Sequence, residues 1–142
     1  MTYTIQFKQS GDLAPSLLDT AIATSGAATL IGEWLNTDPN TRGIVAIVIE
    51  QREGFLSVGL RGAGDDGLIE WPQAKATPLA NLEEEAGQRA LALSAEFDLG
   101  FMKAEAYFRV NKGVLVIVQF VTFQDGSGRS NYVNREFFYR RA

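Results

Sequence analysis

The sequence predicts an α+β protein, a largely antiparallel sheet of about six or seven strands with two amphipathic helices packed on one face. Three observations carry this expectation. Several segments alternate apolar and polar residues with period two, two longer segments repeat apolar residues every three or four, and turn-forming residues separate the consecutive strands. The resulting order is strand, helix, strand, strand, short strand, helix, strand, strand, strand, which suggests two βαββ-like halves without a residue-level repeat. A length of 142 residues fits a single domain spanning 1–142.

Thr2 to Lys8 sets Tyr3, Ile5 and Phe7 against Thr2, Thr4 and Gln6, the pattern of a strand with one buried face. From Ser16 to Leu35 the residues Leu17, Leu18, Ala21, Ile22, Ala28, Ile31, Trp34 and Leu35 form a stripe at helical spacing, entered through Pro15 and weakened at Gly26. Asn36 to Gly43 is a turn-rich connector. Ile44 to Ile49 and Phe55 to Leu60 read as a hairpin, its first member apolar on both faces and therefore central in the sheet. The loop-like Gly62 to Gly67 leads into a short strand, Leu68 to Trp71, halted by Pro72.

Thr77-Pro78 has the form of a helix start, and Leu79, Leu82, Ala86, Ala90, Leu93 and Phe97 continue at spacings of three and four to about Asp98. Gly100 ends that helix. Lys103 to Val110, Val114 to Phe123 and Asn131 to Arg140 are the closing strands, joined by turns at Asn111-Lys112-Gly113 and Asp125 to Gly128.

Composition narrows the chemistry. The chain has no histidine and no cysteine, which excludes Ser-His-Asp and Cys-His catalysis, disulfides and thiolate or imidazole metal sites. A net charge of −4 argues against nucleic acid as a partner. The charge is nonetheless polarised: Gly62 to Asp98 carries eight acids and two bases, a balance of −6, whereas Leu99 onward carries seven bases and three acids, a balance of +4. Complementary association between such regions is one use of that asymmetry. No apolar run is long enough to span a bilayer, and the N-terminus lacks the apolar core of an export signal, so a soluble, cytoplasmic protein is expected.

Asp65 and Asp66 lie in GAGDDG, which lacks both the lysine of a phosphate loop and the alternating acids of a calcium loop. Glu83-Glu84-Glu85 precedes Ala86-Gly87, and Glu84 to Gly87 resembles the E-E-x-G close of the Nudix hydrolase motif. That resemblance implies a carboxylate-metal hydrolase using Glu84 and Glu85. The motif's arginine and its neighbouring glutamate fall on Ala80 and Asn81, and the upstream glycine and glutamate on Asp66 and Pro72, so this reading ranks third.

The leading expectation is a non-enzymatic binding protein acting through protein contacts, a homodimer or a partner of another protein, with the aromatic final strand as a sheet edge in need of cover. The alternative is a small apolar or aromatic ligand in a pocket between helices and sheet. Trp71, Tyr107, Arg109, Tyr132, Arg135 and Phe138 are the ligand or interface candidates; no catalytic residue, metal or cofactor is assigned.

Overall fold

A computed structural model describes residues 29–79 and 92–141. Among them are nine strands and no α-helix: β1 (Gly32–Asn36), β2 (Ile44–Arg52), β3 (Phe55–Gly64), β4 (Gly67–Glu70), β5 (Ala74–Leu79), β6 (Ala92–Asp98), β7 (Met102–Asn111), β8 (Val114–Phe123) and β9 (Tyr132–Arg140). Every pairing is antiparallel. Strands β1, β2, β3, β5, β6, β7, β8 and β9 follow one another around a ring, and β9 returns to β1, closing an eight-stranded barrel with β4 as an additional strand on β3. Closure leaves no full-length sheet edge, so the described strands satisfy most of their backbone groups by pairing with one another.

Strands β4 and β5 lie in line along β3. Glu70 is opposite Arg61 and Ala74 opposite Val58, so four steps of chain on one side match three on the other, a one-residue bulge. The Trp71 N–H still donates to the Leu60 carbonyl at 3.0 Å, and Pro72, which has no N–H to offer, occupies the irregular step. At the β7–β8 turn, Lys112 and Gly113 have φ of +53° and +81°, the doubly left-handed turn that matches hairpin twist.

The α+β expectation is therefore corrected. The end of the proposed first helix is β1, with Trp34 turned inward against Ile47. The start and end of the proposed second helix are β5 and β6: Thr77 and Pro78 pair with Ser94 and Leu93 rather than starting a helix. The reason is arithmetical. Leu93 and Phe97 are four apart, which suits a helix face and equally a strand face, because four is a multiple of two; Ala95 between them is also buried, and Ser94, Glu96 and Asp98 point outward. The proposed strand Thr2 to Lys8, residues 16–28 and 80–91 of the two proposed helices, and with them Glu84 and Glu85, lie outside the described residues.

One set of alternating side chains fills the barrel. Trp34, Ile47, Ile49, Val58, Leu93, Phe108, Leu115, Ile117 and Phe138 are fully buried there, and complete burial of such a side chain contributes about 1.5–3 kcal/mol. One end is sealed. The Trp34 indole N–H donates to the Leu30 carbonyl at 3.0 Å, the Arg140 guanidinium lies 4.3 Å from the centre of the indole ring, and the same guanidinium donates to the Ile31 and Thr29 carbonyls. Gly32 makes this possible, since a Cβ there would overlap the guanidinium.

Candidate functional site

Up-and-down order places the β1–β2, β3–β4, β6–β7 and β8–β9 connections at the end of the barrel opposite Trp34. Aromatic side chains collect at this open end. Trp71, on the link between β4 and β5, meets the buried Phe97 edge-on, ring centres 5.6 Å apart. Its indole occupies space that a side chain at Gly62 would fill, a Cβ there falling 2.9 Å from Nε1. Phe101, from the β6–β7 connection, stacks on Phe123 of β8 at 6.5 Å, and Phe123 meets Tyr132 of β9 at 6.2 Å. The guanidinium of Arg129 lies 4.4 Å from the centre of the Phe123 ring and 5.2 Å from that of Phe101.

This rim is held by its own polar contacts. Arg129 Nη2 donates to Asp125 Oδ2 at 2.7 Å and its Nε to Ser127 Oγ at 2.9 Å. The Ser127 hydroxyl, then the Ser127 N–H, and then Arg129 favour the Asp125 carboxylate and lower its pKa from 3.8 to about 2. The Gln124 N–H donates to the Phe101 carbonyl at 2.8 Å and the Phe123 N–H to Asn131 Oδ1 at 2.9 Å, which ties the two connections together. Partial burial, and secondarily the charge of Glu136, raise the pKa of the Tyr132 phenol.

Beside the rim a cleft of about 720 Å³ runs between the β1–β2 loop and the first half of β9. Its lining includes Thr41, Arg42, Tyr132, Asn134, Arg135 and Phe137. Glu136 anchors the loop: its carboxylate accepts from Asn36 Nδ2 (3.0 Å), Thr41 Oγ1 (2.6 Å) and the Ile44 N–H (3.1 Å). Deeper in the barrel Gln119 sits opposite Asn134 and Ala106; it is 1% exposed, and its Oε1 has no hydrogen-bond partner.

Of the six residues singled out from sequence, Trp71 packs on Phe97 and Tyr132 on Phe123, two separate aromatic contacts at the same end of the barrel. Arg135 lines the cleft, its guanidinium 5.4 Å from the centre of the Phe137 ring. Tyr107 and Arg109 stand on the outer face of β7, opposite Val118 and Val116 of β8, away from the rim. Phe138 is fully buried core and lines no contact surface. The expected pocket between helices and sheet has no counterpart among the described residues, which include no α-helix.

Sequence reasoning missed Phe101, Arg129, Gln119 and Glu136. The alternating direction of consecutive strands was the available signal for the first two, since it puts the connections before β7 and before β9 at one end. Gln119 interrupts the apolar inward row of β8, whereas Glu136 stands in the mixed inward row Tyr132, Asn134, Glu136, Phe138 and Arg140 of β9, and only the pairing register shows which rows point inward.

Among the described residues no group of three or more acids could hold a metal ion, and no helix is long and apolar enough to cross a membrane. Compared with models of known protein families, with curated proteins and with solved structures, the chain matches none.

Proposed function

We propose that this chain is a binding protein rather than an enzyme, and that it takes up a small apolar or aromatic molecule at the open end of its barrel. The observation that carries this reading is the aromatic rim formed by Trp71, Phe101, Phe123 and Tyr132 with Arg129 above it. Eight-stranded barrels are just wide enough to be filled by side chains or to hold one small ligand, and their mouths are a preferred place for ligand sites. Aromatic faces with a guanidinium beside them suit a flat ring, with an anionic or electron-rich substituent toward the cation. The absence of histidine and cysteine from the whole chain removes the commonest catalytic groups and supports binding over catalysis.

The test uses anilinonaphthalene sulfonate, a flat apolar anion whose emission rises when it leaves water. It should bind and be weakened about 3- to 10-fold by Phe101→Ala, the equivalent of the ~0.5–1.5 kcal/mol of one aromatic contact. Tyr139→Ser, on the outer wall, should leave binding unchanged. Equal weakening by both variants, or none by Phe101→Ala, contradicts a site at the rim.

A protein partner is the second reading, favoured by one specific observation. Phe120, Val133, Phe137 and Tyr139 project from the outer faces of β8 and β9 and are 41–63% exposed, an apolar surface of the kind that marks contact sites. A homodimer through these strands predicts a concentration-dependent mass by light scattering that Phe137→Glu returns to one chain.

A further inference from the structure

Strand β1 is shorter than its neighbour β9. Its pairing ends with Asn36 opposite Phe138, after which the Thr37 N–H donates to the Phe137 carbonyl at 2.9 Å and the chain turns away into the β1–β2 loop. Strand β9 continues from Phe137 back to Tyr132 with β8 on one side only. Direction along a strand alternates, so the residues whose backbone groups face β1 can be read off. The Phe137 carbonyl accepts from Thr37, and the Arg141 N–H donates to Glu33; odd-numbered residues therefore turn their N–H and C=O toward that side. By the same alternation Val133 and Arg135 turn theirs to that side, where no described residue pairs with them and where Arg135 lines the cleft of about 720 Å³.

The side chains around this edge include two exposed apolar residues, two arginines and two acids. Val133 is 63% exposed and Phe137 41%. Arg42 and Arg135 line the cleft, and neither has a carboxylate partner among the described residues, whereas Glu136 is committed to the loop and Asp38 accepts from the Asn40 N–H.

We propose that the free edge of β9 captures an extended acidic peptide segment as an added strand. The N–H and C=O groups of Val133 and Arg135 supply the ladder, Arg135 and Arg42 select an acidic side chain, and Val133 and Phe137 receive an apolar one. This is strand addition, in which backbone bonds give affinity and alternate side chains give specificity. It is independent of ligand uptake at the rim, because neither edge residue belongs to the aromatic cluster.

The probe is a blocked hexapeptide, valine-threonine-glutamate-threonine-valine-threonine, which sets valine and glutamate on one face as Val133 and Arg135 are, compared with the same peptide carrying lysine for glutamate. The acidic peptide should slow amide exchange at Val133 and Arg135 and bind at least tenfold more tightly than the lysine peptide. Arg135→Glu should reverse the preference. Val133→Pro removes an edge N–H that serves no bond in the barrel, so the thermal transition should be kept while peptide binding falls at least tenfold; Val133→Ala should retain binding. Equal binding of both peptides, no binding, or indifference to Val133→Pro overturns the proposal. So does protection of these two amides in the free protein accompanied by a doubled mass, which assigns the edge to a second copy.

Discussion

Replacing Gln119 with methionine should stabilise the barrel, and the size of the effect follows from one orphaned atom. Gln119 points inward from β8, is 1% exposed, and leaves Oε1 without a donor. An acceptor buried without a partner costs about 1–3 kcal/mol relative to the unfolded chain, in which water satisfies it. Methionine has the same unbranched reach, and volume-conserving exchanges of this kind cost less than about 1.5 kcal/mol even when the fit is imperfect. Its neighbours across the sheet are Ala106 and Asn134. The net expectation is a gain of about 1 kcal/mol. In urea the midpoint should rise at unchanged slope, and the melting temperature should rise by roughly 4 °C for a chain of this length. Gln119→Glu, the same shape with a charge, should be destabilised instead. A loss of about 1 kcal/mol or more in Gln119→Met would refute the reasoning, because it would mean that Oε1 is satisfied in the folded protein.

Three other outcomes are expected. Arg140→Met removes the cation above Trp34 and the donors to the Thr29 and Ile31 carbonyls, and should cost about 1–2 kcal/mol in chemical denaturation with the Trp34 emission shifted toward that of a solvated indole. Asp125 has a folded-state pKa lowered from 3.8 to about 2, so its contribution to the β8–β9 connection is present above pH 3.8 and lost as pH falls through about 2. Its carboxyl resonance should titrate near 2, and Ser127→Ala should return the midpoint toward 3.8 further than Arg129→Ala does; a midpoint near 3.8 in the unaltered chain contradicts the loop geometry. Glu136→Gln keeps the shape but replaces one acceptor oxygen with an NH₂ group facing donors, so amide exchange at Ile44 should accelerate. Because Glu136 also raises the Tyr132 phenol pKa, the same substitution should lower that pKa, as followed by ultraviolet titration.

Much of the antiparallel framework was legible in the sequence. The spans Val114 to Phe123 and Asn131 to Arg140 were readable because alternation, β-branched residues and glycine turns agreed locally. The sites were less legible. Trp71 and Tyr132 were singled out as aromatics beside turns and make separate ring contacts, with Phe97 and Phe123, but Phe138 has the same local look and is core, and Tyr107 faces outward on another wall. Residue type says that an aromatic will be buried against something; it does not say which side of a closed sheet it occupies.

What the sequence by itself determined is the chemistry excluded by the lack of histidine and cysteine, and the strands whose period-two pattern no helix can share. What only the tertiary structure decided is whether the ambiguous segments around Trp34 and Leu93 would be helix or strand. Their apolar spacing of four fits both, and the ring settles it, because β1, β5 and β6 are the strands needed to join β2, β3, β7 and β9 into a closed barrel. The open end has the same origin. Phe101, Phe123 and Arg129 become one surface only because neighbouring hairpins run in alternating directions, and the first half of β9 lacks a second partner among the described residues because β1 stops short beside it.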